Sequence, residues 1–382
     1  MASMEDYLAR ASQRVGLGDF GDDAYQEGLQ CLLAAAQSEA RLSAAGQAAF
    51  DEMIIRALVN RLELEDWYQR HPEIDEGEIR RPLIGLGLPR TGSTVFSNMV
   101  AMDPAVRFLR SWEGPKPCPP PVRGEEDSDS RVQEMARNME QSYRENPNLQ
   151  KMLPSSPTSA LECGIIMGYD FKSNFYSAMF HVPSYSRWLV EEADMVSAYR
   201  YLKRTLKLLQ WRCPPDRWRL KSPPHSMFIE ALDEVFPDAV FWMTHRDIRR
   251  VIPSVADLYY EHARRFSDHL DKHYLGRFNT EFWEQALHRM LAFRERGNDA
   301  RFFDAYFDDI QQDPFATLER LYAFLGEEFT AETRDRIVQW RRETPRGKHG
   351  EHTYDAADYG IELGALGERF AFYSERFGLG GG

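Results

Sequence analysis

The stretch GLGLPRTGST, Gly85 to Thr94, sets a cation and several hydroxyls among glycines in a way that suits an anion. From Gly87 to Thr94 it has the GxxxxG spacing of an ATP-binding loop followed by two hydroxyl residues, with serine where such a loop carries its lysine. The phosphate cradle survives that change. Gly92 admits the turn, and the amides at the start of the following helix face an oxyanion with the helix dipole behind them. Positive charge moves into the loop as Arg90, whose planar fork can hold two oxygens at once. This makes Arg90, Thr91, Gly92, Ser93 and Thr94 the loop's candidate ligands. Nucleotide hydrolysis would be poorly served, because the magnesium ligands that follow the lysine lose their setting. A dinucleotide fingerprint fails as well, since Arg90 stands where the third glycine of G-x-G-x-x-G belongs. The remaining reading is a plain strand-to-helix turn.

Two further basic stretches and one strand end extend the list. In THRDIRRVIPS, Thr244 to Ser254, an arginine closes an apolar run and Ser254 follows Arg246 by eight positions. An arginine at a strand's carboxyl end and a hydroxyl on the next helix can converge on one dianion; the bland alternative is a solvated basic helix start. TPRGKHGEHTYDAADYG, Thr344 to Gly360, offers Arg346, Gly347 and Lys348, and reads almost equally well as a surface loop. LKSPPHS places Lys221 between a strand and a proline pair, with His225 close behind.

Following a strand, PRTGST resembles the phosphosulfate-binding loop of the sulfotransferases that use 3'-phosphoadenosine 5'-phosphosulfate (PAPS). THRDIRRVIPS is similar to that family's second hallmark, an arginine and a serine on the 3'-phosphate. The segment Thr344–Gly360 resembles, more loosely, the part that closes over the nucleotide. The resemblance spans residues 80 to 360, and GLGDFGDDAYQEGL (Gly16–Leu29) resembles bacterial members with a helical leader. It implies Arg90 on the transferred group, Arg246 and Ser254 on the 3'-phosphate, Arg346, Gly347 and Lys348 adding to it, and Lys221 near the bridging oxygen. For the base it leaves two candidates. His225 follows Lys221 at a spacing two residues longer than in cytosolic relatives. Glu113 lies 23 positions after Arg90, where tyrosylprotein and some bacterial sulfotransferases carry a catalytic glutamate. The adjacent Trp112 tips the reading toward Glu113, because burial against an indole raises a carboxyl pKa.

The implied activity is transfer of a sulfuryl group from PAPS, leaving adenosine 3',5'-bisphosphate, to a hydroxyl of a lipophilic or aromatic small molecule. The alternatives are a kinase-like P-loop phosphotransferase, which the missing lysine disfavours, and a catalytically inactive nucleotide-binding relative. Aromatic-rich stretches at 169–188 and 258–266 could line the acceptor pocket, although such stripes more often pack in cores. Glu162 and Tyr169 are further candidates for acceptor contact.

The elements that must position these residues follow from hydrophobic periodicity. Leu29, Leu32, Leu33 and Ala36, then Phe50, Ile54, Ala57 and Leu58, fall on helix faces, so residues 1–78 read as a helical N-terminal region. RHPEIDEGEIRRP, Arg70 to Pro82, breaks the pattern. Residues 79–382 then read as a P-loop-like, doubly wound α/β domain. Its strands are Pro82–Leu88, Arg217–Lys221, Ala239–Arg246 and Arg301–Phe307, and a helix runs over Thr94–Met102. The proline- and charge-rich segment at about 111–160 reads as a lid or cap.

Composition bounds the rest. At 382 residues and a formal charge of −13, the chain is globular and an unpromising nucleic-acid binder. Cys31, Cys118, Cys163 and Cys213 form no CxxC pair, so neither a zinc site nor a disulfide framework is expected, and no metal is called for. The acidic N-terminus lacks a signal-peptide core and no run is long enough for a membrane span, so the cytoplasm is the expected compartment. No heptad or exposed-strand pattern bears on oligomeric state.

Overall fold

The computed structural model describes residues 2–214, 217–345, 350 and 352–379. At its centre lies a five-stranded sheet, every pair parallel, in the order β2-β3-β1-β4-β5. The strands are β1 (Leu83–Gly87), β2 (Val106–Phe108), β3 (Arg217–Lys221), β4 (Val240–His245) and β5 (Phe302–Tyr306). Every residue of β1 and β4 is buried, as expected of strands covered by helices on both faces, and this is why they read as unbroken apolar runs. From β1 the chain steps to the β2 edge, returns to β3, and then crosses to β4 and β5. The winding therefore reverses at β1, and the carboxyl ends of β1, β3 and β4 frame the crevice where open α/β sheets take their ligands.

β2 is absent from the sequence-based expectation. It is three residues long and carries the buried Arg107 at its centre, so no apolar run marks it. The helix after β1 runs over Ser93–Val100, slightly shorter than expected, and ends before Asp103 and Pro104.

Three helices precede the sheet: α1 (Met4–Val15), α2 (Ala24–Glu39) and α3 (Ala44–Arg70). Ser3 and Ser43 cap α1 and α3 by accepting from backbone amides of the first turn. The faces expected to be apolar are buried, with Leu29, Leu32, Phe50, Ile54 and Leu58 all at 0% exposure. These helices share one apolar cluster with β1, β3 and β4. A buried ion pair also joins them to the rest: Arg61 of α3 lies 3.2 Å from Asp170 and stacks between Tyr25 and Tyr201. No helix among the described residues is long and apolar enough to cross a membrane.

The segment at 111–160 leaves β2 and returns to it. Arg110 bridges Ala160 in antiparallel fashion, closing the excursion at its base. Within it lie the helices Ser130–Glu145 and Pro147–Met152. Asn146 fastens the turn between them by donating to the carbonyl of Glu261 at 3.0 Å, and Leu149 and Met152 pack on Leu258.

Candidate active site

From the last residue of β1 the backbone bends three times through positive φ: Gly87 (105°), Arg90 (62°) and Gly92 (85°). Gly92 is the residue just before the helix Ser93–Val100, and a Cβ there would be strained by its φ and lie 3.2 Å from the Phe307 ring. Gly85 is needed for another reason. A Cβ on it would fall 2.2 Å from the Trp242 indole of β4. Thr91 is fully buried, and its hydroxyl donates to the Leu88 carbonyl at 2.8 Å and meets Thr244 of β4. Its side chain therefore holds the loop's shape, leaving only its backbone to face an anion.

The two arginine stretches meet at this loop. Arg246, just past β4, donates to the Arg90 carbonyl at 3.0 Å, and its guanidinium lies 4.0 Å from the centre of the Phe307 ring. Arg90 Nε reaches the Ser254 hydroxyl, on the helix Ile248–Ala263, at 3.1 Å, and Arg90 Nη1 reaches the Met152 carbonyl at 2.6 Å. Burial, with Arg246 nearby, draws the Arg90 pKa below its usual value against the opposing effect of Tyr354 and Asp257. The resemblance separates Arg90 from Ser254 by function, whereas here the two side chains touch. The strand end that presents Arg246 is itself braced, since His245 contacts Asp304 of β5 and Tyr373, each at 2.9 Å.

Lys221 closes β3 opposite Gly85 in the register. Its side chain is 3% exposed and its Nζ lies 2.6 Å from Oε1 of Glu162, which is 45% exposed. His225 sits in the 3-10 turn Pro223–Ser226 with Nδ1 at 2.8 Å from the Tyr199 hydroxyl, while its buried Nε2 has no partner. Burial, reinforced by Lys221, lowers its pKa to about 3, so the imidazole is neutral at pH 7.

Arg90, Arg246, Lys221, Glu162 and His225 border one cavity of about 1250 Å³. Arg90, Gly92, Ser93, Thr94 and Arg246 border it on the side of the loop, and Lys221, Glu162 and His225 border it at the end of β3. Much of the remaining wall is apolar, including Phe175, Met179, Val255, Leu258 and Trp283. Ser254 stands behind Arg90 and is not part of the wall.

A search of curated proteins gives no match. The model of the sulfotransferase family matches residues 82–331. The crystal structure of sulfotransferase STF9 from Mycobacterium avium superposes with a TM-score of 0.92 at 32% identity, covering 100% of this chain and 98% of that one. Sulfotransferase STF1 from Mycobacterium tuberculosis H37Rv gives 0.86 at 30% identity, over 97% of this chain and 99% of that one. The chain belongs to the sulfotransferase family.

Within this sulfotransferase, Glu113 is not where the sequence reading puts it. Its side chain is 0% exposed and forms no part of the cavity wall. One carboxylate oxygen lies 2.6 Å from Arg107 Nη2, and the other accepts from the Arg110 amide at 2.9 Å. Trp112 does bury beside it, but that ring carries Arg131 on its face at 4.4 Å, and the carboxylate's charge is matched by Arg107. Glu113 thus braces the turn after β2. Tyr169 is buried with its hydroxyl on the Gly114 carbonyl, away from the cavity. Arg346, Gly347 and Lys348 lie outside the described residues. The group that the sequence reading undervalued is Glu162, named only for acceptor contact. No signal in the sequence marks it, because Glu162 comes beside Lys221 only in the folded chain, where the Cys163 amide donates to the Lys221 carbonyl at 3.1 Å and continues the pairing of β3.

Proposed function

We propose that this sulfotransferase moves the sulfuryl group of PAPS, a substrate, to a hydroxyl of a lipophilic small molecule. The observation that carries the reading is that one cavity is bordered by the cations of both anion-binding stretches, by the Lys221–Glu162 pair and by an apolar wall. The donor's chemistry fits these residues. Its phosphates and sulfate are oxyanions, and the loop offers amides at a helix start together with the guanidinium groups of Arg90 and Arg246. Ser254, through its contact with Arg90, belongs to the same anion-holding group, and Arg346, Gly347 and Lys348 are proposed to add to it.

In the reaction the acceptor oxygen bonds to sulfur as the bond from sulfur to the phosphate oxygen breaks, in line. Glu162 takes the acceptor's proton, and Lys221 stabilises the negative charge that develops on the departing phosphate oxygen of adenosine 3',5'-bisphosphate. Glu162 is assigned this role over Glu113 because it borders the cavity and is open to it. His225, neutral and tied to Tyr199, positions the Lys221 turn. No metal enters this scheme, and the soluble interior of the cell is the compartment proposed. Incubation with PAPS carrying labelled sulfate and a panel of hydroxylated lipophiles tests the reading. Label should pass to at least one acceptor; donor binding without any transfer would instead mark the chain as a nucleotide-binding relative that does no chemistry.

A further inference from the structure

The tip of Arg246 is held by the Arg90 carbonyl and the Phe307 ring, while its root is held from the far end of the sequence. The short helix Ala371–Arg376 carries Tyr373, which is fully buried against the end of β4. Its hydroxyl lies 2.9 Å from Nδ1 of His245, the residue just before Arg246. Burial raises the Tyr373 pKa, and a hydrogen bond from the Arg246 amide opposes the rise. One hydroxyl therefore meets both the side chain of His245 and the backbone of the residue that follows it.

The groups beyond His245 fix the direction of each hydrogen bond. Asp304 of β5 accepts from Nη1 and Nη2 of Arg294, at 2.8 and 2.7 Å, so it is ionised and can only accept. His245 Nε2, 2.9 Å from Asp304, is therefore a donor. Burial lowers the His245 pKa against the pull of Asp304, so the ring is neutral and its Nδ1 accepts. Tyr373 then donates to that nitrogen, and its oxygen remains to accept from the Arg246 amide. The Phe377 ring stacks on His245 at 4.0 Å between centroids and holds the imidazole in its plane. A buried polar chain of this kind keeps its members in one arrangement, since turning any ring or peptide leaves a donor or acceptor unmet where water cannot replace it. Packing alone does not call for the hydroxyl: the Tyr373 ring fills its place without the oxygen, whose added effect falls on the peptide that carries Arg246.

Resting on the reading of Arg246 as a donor-binding cation, we propose that Tyr373 is a positioning residue for the nucleotide: through its hydroxyl, the helix Ala371–Arg376 sets the direction in which Arg246 leaves β4 and enters the anion site. It touches no substrate and acts only through the arginine.

The test is calorimetry with adenosine 3',5'-bisphosphate on four forms of the full chain: native, Tyr373→Phe, Arg246→Ala and the double variant. Low ionic strength keeps weak binding of the charged ligand measurable. Tyr373→Phe retains the ring and should weaken the nucleotide about tenfold in the native background. In the Arg246→Ala background the same replacement should change affinity by less than about twofold, because no guanidinium is left to aim. A side chain that only supports the fold would weaken binding alike in both backgrounds. Should Tyr373→Phe not fold, His245→Gln breaks the same chain and is read by the same criterion. Equal losses in the two backgrounds, or no loss in the native one, overturns the proposal. If the native chain does not bind the nucleotide, the donor reading falls and this one with it; nucleotide binding with additive losses overturns this one alone.

Discussion

Glu162 is half-exposed in the cavity against Lys221, whereas Glu113 is enclosed between Arg107 and the Arg110 amide. Conservative replacement of each should therefore fail in opposite ways. Glu162→Gln removes the proposed proton acceptor and should lower kcat by about 10²–10⁴ with little change in adenosine 3',5'-bisphosphate affinity. Glu113→Gln leaves Arg107 buried without its counter-charge, a loss of about 3–5 kcal/mol in buried pairs, and should appear in denaturant melts, with turnover per folded molecule largely kept. Steady-state kinetics paired with urea unfolding of both variants separates the roles; a catalytic collapse confined to Glu113→Gln would return the base to that residue. The sequence could not separate the two because both spacings are compatible with a glutamate near the loop. What decides is the return of the chain from the 111–160 excursion: Glu162 comes to rest beside Lys221, 59 positions later, through the Arg110–Ala160 bridge.

The strand–loop–helix unit built from β1 and Ser93–Val100 is the element on which the proposed anion binding depends. Gly92 sets its turn at a φ of 85°, and a side chain there faces both backbone strain and the Phe307 ring. Gly92→Ala should cost about 1–2 kcal/mol of stability from the left-handed backbone, and should weaken adenosine 3',5'-bisphosphate binding more than tenfold as the amides turn away. Unfolding and titration on the same preparation check this; unchanged affinity would mean that the loop amides do not hold the nucleotide. Such an element is legible in a sequence because its signal is local. β1, β4 and β5 were readable as short apolar runs bounded by turn residues and β3 as five residues alternating basic and apolar, with Arg90, Lys221 and Arg246 as the polar residues at or just beyond strand ends. β2 was not, since its buried Arg107 is neutralised by Glu113 six positions later, a pairing that exists only once the turn has formed. Nor could spacing reveal that Arg90 would reach Ser254, which depends on how the helix Ile248–Ala263 packs against the loop.

Across the whole molecule, buried titratable groups tie stability to pH. Burial lowers the pKa of both His225, to about 3, and His245, so each binds a proton less readily folded than unfolded. The unfolded chain therefore binds more protons below its histidine pKa of about 6.5. Stability from these groups is full above that pH and is lost as pH falls toward the folded values, by up to about 1.4 kcal/mol per pH unit for each histidine. Asp304 adds a second loss. Burial alone would raise its pKa, but Arg294 and His245 hold it well below the carboxylate range, so its contribution is present above about pH 4 and fades below. Urea midpoints should thus decline from pH 7.5 to pH 5, with a shallower slope in His225→Gln. A flat profile would contradict the neutral, buried histidines. The same whole-molecule arrangement brings β1, β3 and β4 together so that Arg90, Arg246 and Lys221 share one cavity, and the account rests on what that cavity binds. The most direct measurement is calorimetry of adenosine 3',5'-bisphosphate against ATP with magnesium, in the native chain and in Arg246→Ala. The bisphosphate should be clearly preferred and its affinity reduced at least tenfold by the replacement; tighter binding of magnesium ATP, or indifference to the loss of Arg246, would overturn the PAPS reading.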